Sequence, residues 1–207
     1  MKDLFVLTAD ADAEAVMRQV LRRFHAIGIR EISCEVDRHT GRDPGMIHTG
    51  PALVRFKKGL FHRVLLLWDH QGSGKEGESS HTVQDSMATQ LDHLTWKDNH
   101  LAIAVVPELE EWLWHNPESV RKHLDISEQE MNIWVDEFVK KTDRDLGQAG
   151  RAGPKERFGH LVHKKRQHGP RPDDFEKIAS IASLIQWQQS ASFGAIVKRL
   201  REWFPIQ

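Results

Sequence analysis

Cysteine occurs once, as Cys34, and tyrosine does not occur at all. A lone cysteine excludes a disulfide within the chain and any thiolate metal cluster, and it fits a reducing compartment. Neither sign of charge is in excess: 29 Lys and Arg face 30 Asp and Glu, for a formal net charge of -1. The field of the whole molecule therefore favours neither nucleic acid nor an anionic membrane, and any such binding has to come from a local patch. No apolar stretch approaches the roughly 18 residues needed to span a bilayer. The opening residues 1–8 have neither the basic flank nor the long apolar core of a signal peptide. A cytoplasmic location with no membrane partner is expected. No HExxH pair or comparable spacing occurs among the histidines, which disfavours a zinc site.

What is present reads as one domain, 1–207, with no internal repeat and no low-complexity linker. Residues 4–8 form an apolar strand. Residues 11–27 carry Val16, Val20, Leu21 and Phe24 at helical spacing, and Gly28 is a C-terminal stop. Residues 31–36 form a second strand, with Ile32, Cys34 and Val36 on one face. Such a β-α-β opening favours a parallel pair with a right-handed crossover. Residues 37–50, rich in Gly, Asp, Pro and His, read as a loop, followed by a short helix at 52–58. Two further apolar strands, 63–68 and 101–106, flank a helix at 80–94. Continuous apolar strands separated by helices predict a mainly parallel sheet covered on both faces.

Beyond residue 115 the pattern is helical. Asn116-Pro117 marks a helix start, and Ser127 to Glu130 is a capping box ahead of the stripe Met131, Trp134, Val135, Phe138. A loop is expected at 143–154, and a last helix carries Phe193, Ile196, Val197, Leu200 and Trp203. The fold class is thus α/β: a sheet core at 1–115 and a mostly helical extension at 116–207.

In parallel α/β sheets, sites form beyond the carboxyl ends of the strands. Asp10 and Asp12 follow the first strand, Asp69 the third, and Glu108, Glu110 and Glu111 the fourth. Clustered carboxylates suit Mg²⁺ or Mn²⁺, which take hard oxygen ligands. Each acid alone also has a plain reading as a helix N-cap. Asp69 is different, since it ends an apolar strand and enters a glycine loop. That loop, Gly72-Ser73-Gly74-Lys75, is not a P-loop: the first glycine of the pattern is replaced by Asp69, and Glu76 follows the lysine. Arg38 and Arg42 sit in a turn-rich segment that would either hold a phosphate or pair with its own acids. Lys164, Lys165, Arg166 and Arg171, with His160, His163 and His168, form a basic strip. It would follow a nucleic-acid backbone or be a solvated helix face.

Several of these pieces are similar to one family. Pro107-Glu108-Leu109-Glu110-Glu111-Trp112-Leu113 resembles the Pro-x-apolar-Glu-x-Trp-Leu element of RloB-like and related TOPRIM-like proteins. Val64 to Asp69 looks like their strand ending in a metal-site Asp, and residues 4–16 like their opening strand, acidic turn and helix. The resemblance implies a TOPRIM-like fold, bound Mg²⁺ or Mn²⁺, and nuclease or phosphoryl-transfer chemistry. It also implies bacterial anti-phage defence, in a methylation-associated system with other subunits. On this reading Asp69 and Glu110 hold the metal, Asp10 or Asp12 completes the site, and His70 assists as general base. Two positions depart from the family pattern. Thr8-Ala9 stands where the family has Glu-Gly, and Asp69-His70-Gln71 replaces its Asp-x-Asp. A catalytically degenerate sensor or interaction subunit is the alternative.

Overall fold

In a computed structural model, described for residues 1–146 and 152–206, four strands form one all-parallel sheet in the order β2-β1-β3-β4. They are β1 (Lys2–Thr8), β2 (Cys34–Arg38), β3 (Phe61–Asp69) and β4 (His100–Val105). The central strands β1 and β3 run in register from Lys2 opposite Phe61 to Thr8 opposite Leu67. Their side chains alternate between two buried faces. Leu4, Val6, Leu65, Leu67, Ile103 and Val105 belong to one core, and Phe5, Leu7, Val64, Leu66, Trp68, Ala102 and Ala104 to the other. Covering on both sides is why these strands read as unbroken apolar runs.

The helices are unequally shared. The first core is covered by α1 (Ala11–Arg22), α2 (Phe24–Ile27) and most of the helices that follow β4. In chain order the remaining elements are α3 (Arg42–Val54), α4 (Ser80–Leu91), α5 (Glu110–Trp114), α6 (Pro117–Leu124), α7 (Glu128–Leu146), α8 (Pro154–Arg166), α9 (Pro172–Ile181), α10 (Leu184–Trp187) and α11 (Ala191–Trp203). Among the described residues, α3 and α4, with Trp96 beyond them, cover the second core. Trp112 anchors the first, tilted against Trp187 and edge-on to Phe193 at 5.0 Å, with its indole N–H donated to Ser192 Oγ at 2.8 Å.

The structure corrects three boundaries. The second strand runs over Cys34–Arg38, not 31–36, because the Asp3 carboxylate takes the Ser33 N–H and hydroxyl, and Arg30 pairs with Asp3. Those residues are spent on the turn before the ladder begins. The segment read as a loop is helical from Arg42. Its glycines allow close packing, since a Cβ on Gly45 would lie 2.6 Å from the His39 ring and one on Gly50 2.7 Å from Met46 Sδ. The helix expected at 52–58 is therefore the end of α3 plus a 3-10 turn, Arg55–Lys57. Finally, α7 continues to Leu146 and α8 begins at Pro154, which trims both ends of the expected 143–154 loop; 147–151 lie outside the described residues.

Candidate functional site

The carboxyl ends of β1, β3 and β4 open on one acidic mouth. Asp10 is the N-cap of α1, its Oδ1 accepting the Ala13 N–H at 2.8 Å, and Asp12 follows in the first turn. Asp10 thus realises the capping role open to it in the sequence. Asp69 ends β3 and is buried. Its N–H donates to Asp43 Oδ1 at 2.8 Å and its Oδ1 accepts the Leu109 N–H at 2.9 Å. One side chain therefore ties the β3 end to the loop that launches α5, and that loop delivers Glu108 and Glu110, both buried.

Burial and mutual repulsion set the charges here. Burial pushes the Asp69 carboxyl well above the usual range, and Asp43, Asp10 and Glu110 add to it. Glu110 is raised to about 7 by burial, with Glu108 and Asp12 contributing and Lys155 opposing. Asp12 is raised to about 6 by burial and the Asp10 charge. Asp43 is raised too, chiefly by burial. The shared counter-charge is Lys155, from the first turn of α8, whose Nζ lies 2.9 Å from Glu108 Oε1. Burial disfavours its ammonium, but Glu108, Glu110 and Asp69 outweigh this and hold it charged. Arg42, a non-glycine residue in the left-handed region at φ 52°, acts on Asp12 from the other side.

Compared with known protein families, curated proteins and solved structures, the chain matches none.

The site therefore rests on its own geometry. It brings together Asp10, Asp12, Asp69 and Glu110, the acids that strand-end reasoning picks out. Glu111 instead turns away, to His115 and to Ser190 Oγ at 2.6 Å. His70 follows Asp69 and lies near Glu76, whose carboxylate accepts N–H groups of Gly72 and Gly74. Two residues of the mouth escape sequence reasoning. Asp43 was hidden in the segment read as a loop, and Lys155 follows the glycines of a loop with no motif. The signals that could have found them are Pro44 and Pro154, since proline in a first turn marks a helix start.

The arginines and the basic strip are placed elsewhere. Arg38 sits 3.9 Å from Glu14, and Lys164 pairs with Glu137 at 2.7 Å beside the Trp134 ring. Lys165 donates to the Asp125 carbonyl at 2.8 Å. Arg166 bonds the buried Asp174 and the His123 carbonyl, and Arg171 is the N-cap of α9. Lys164, Lys165 and Arg166 thus tie helices together, in place of forming one free phosphate-binding strip.

The donor set suits a hard divalent cation: carboxylate oxygens with more negative charge than Lys155 and Arg42 neutralise. As placed, no three His, Cys, Asp or Glu side chains among the described residues converge to hold one ion. Among the described residues no helix is long and apolar enough to cross a membrane.

Proposed function

We propose that the acidic mouth is a divalent-cation-dependent phosphoryl-transfer or nuclease centre. Asp69, Glu110 and Asp12 would supply oxygen ligands to Mg²⁺ or Mn²⁺, with Asp10 near by. The observation that carries this reading is the gathering of buried Asp69 and Glu110 and half-buried Asp12 and Asp43 around one ammonium, with their carboxyl pKa values raised. Carboxylates in that state are stabilised by a further cation. A bound ion would polarise a phosphoryl oxygen and lower the pKa of an attacking water. Arg42 would pair with a phosphate, and His70 would serve as general base. The resemblance of 64–69 and 107–113 to TOPRIM-like proteins supports anti-phage defence as the setting, with other subunits as partners.

One observation favours the alternative, a degenerate sensor. Lys155 already supplies a cation to the site, and Thr8 and Gln71 stand where active relatives of that family carry acids. Calorimetry separates the two. Under the first reading Mn²⁺ binds the wild type, Asp69→Asn does not bind it, and Mg²⁺-dependent cleavage of DNA or RNA is lost in Glu110→Gln. Absence of Mn²⁺ binding in the wild type assigns the sensor role.

A further inference from the structure

The end of the sheet opposite the acidic mouth, where β1 and β3 begin, carries apolar side chains left exposed among the described residues. Phe56 is 79% exposed, Met1 72%, Leu60 58% and Leu53 45%. Leu53 and Phe56 lie one turn apart where α3 tightens into its 3-10 end, and the Leu60 carbonyl accepts the Lys2 N–H at 2.8 Å, which sets Met1 beside it. Isolated exposed apolar residues need no explanation, but four around one turn mark an interaction surface.

The charges around this turn indicate what it meets. Residues 55–63 carry Arg55, Lys57, Lys58 and Arg63 and no acid, in a chain of net charge -1. Lys57 is spent on Glu35 at 2.9 Å and Asp37 at 3.4 Å. Among the described residues Arg55 and Lys58 pair with no carboxylate; Lys58 lies 4.7 Å over the Trp96 ring. We propose that this turn docks on an anionic lipid surface, with Phe56 and Leu60 entering the acyl boundary and Arg55 and Lys58 meeting lipid phosphates.

Three arguments select this occupant. Exposed apolar tips with cations in excess are the pattern of interfacial binding, and here Lys2, Arg55, Lys57 and Lys58 outnumber Glu35 and Asp37. A second copy docking on the same patch would face its like charges. Single-stranded nucleic acid takes aromatic platforms for its bases, whereas Leu53, Leu60 and Met1 offer nothing to stack on. The expectation of no membrane partner rested on spanning length and whole-chain charge, and neither bears on a local patch. Docking at this end leaves the acidic mouth, at the carboxyl ends of the strands, facing away from the bilayer.

Co-sedimentation with vesicles tests the proposal. The wild type should pellet with mixed phosphatidylcholine and phosphatidylglycerol vesicles at low salt and stay in solution with phosphatidylcholine alone. Phe56→Ser with Leu60→Ser should weaken partitioning about tenfold or more, since each removes a buried apolar side chain. Arg55→Glu with Lys58→Glu should abolish it. All four positions are exposed, so circular dichroism should show unchanged folding. No pelleting of the wild type with mixed vesicles, or unchanged pelleting of the double serine variant, overturns the proposal. So does a wild-type dimer that Phe56→Ser dissociates in sedimentation velocity, which assigns the patch to a second copy. Oligonucleotide binding lost in the same variant overturns it in favour of nucleic acid.

Discussion

Glu110 and Asp69 occupy the same mouth and answer to substitution differently. The Glu110 carboxyl has a folded pKa of about 7, above its ordinary value of 4.5. A raised acid favours folding while it is protonated, so its contribution is fully present below about pH 4.5 and is lost as pH rises through about 7. Glu110→Gln should therefore match the wild type near pH 4.5 and exceed it at pH 8 by about 3 kcal/mol. Urea melts at the two pH values, without divalent ions, read this difference. Asp69 also has a geometric duty, because its Oδ1 accepts the Leu109 N–H. Asp69→Asn keeps an acceptor there and removes a charge that burial and the neighbouring acids disfavour, so it should melt no earlier than the wild type at pH 8. Asp69→Ala leaves that N–H unpaired and should cost about 1–3 kcal/mol. Asp69 and Glu110 were readable from the sequence because each stands next to an apolar strand. Lys155 was not, because what makes it part of the site is the packing of α8 against α5, and no local pattern encodes that.

Helices show the same contrast between local pattern and tertiary packing. The capping box at Ser127 forms as written, with Glu130 accepting from Ser127 and its N–H returning to Ser127 Oγ at 3.1 Å. Pro117 sits in the first turn of α6 as the sequence predicts. α3 defeated the same rules because Gly45, Gly50 and Pro51 lower helix propensity while serving close contact. Propensity alone says that Gly45→Ala gains up to about 1 kcal/mol. The added Cβ would strike a His39 ring held by Thr49 at 2.8 Å and by the Gly41 N–H at 2.9 Å. We expect a net loss of about 1–3 kcal/mol and a lower Tm by calorimetry. Asp174 makes the corresponding point for the second half. Buried at the start of α9, it accepts from His123 of α6 at 2.8 Å, from the Arg171 N–H at 2.8 Å and from Arg166 of α8. Removing one member of such a group leaves the others buried and unpaired, so Asp174→Ala should cost about 3–5 kcal/mol in urea unfolding. Arg166→Ala, read as a surface change in the sequence, should also destabilise.

Across the molecule the sheet order follows from burial. β1 and β3 lie in the centre, and both were legible as apolar runs because each contributes to two cores at once. The exact start of β2 was not, since it depends on Asp3 reaching Ser33 across thirty residues of sequence. Hydrogen exchange should rank the strands accordingly. Amides of Leu4 to Leu7 and Leu65 to Trp68 should exchange only by global unfolding, and those of β2 much earlier. Mass spectrometry of exchanged peptides checks that ranking. The unequal sharing of helices has a consequence for biosynthesis. All four strands precede residue 106, yet one entire face of the sheet is covered mainly by helices that follow it. The Phe204 carbonyl accepts the Arg30 N–H at 3.1 Å, and Arg201 reaches the Ile27 carbonyl at 2.8 Å, so α11 closes onto a part made near the start. A nascent chain therefore exposes a partly covered apolar sheet face until the last helices have been made, a window in which that face can meet other chains.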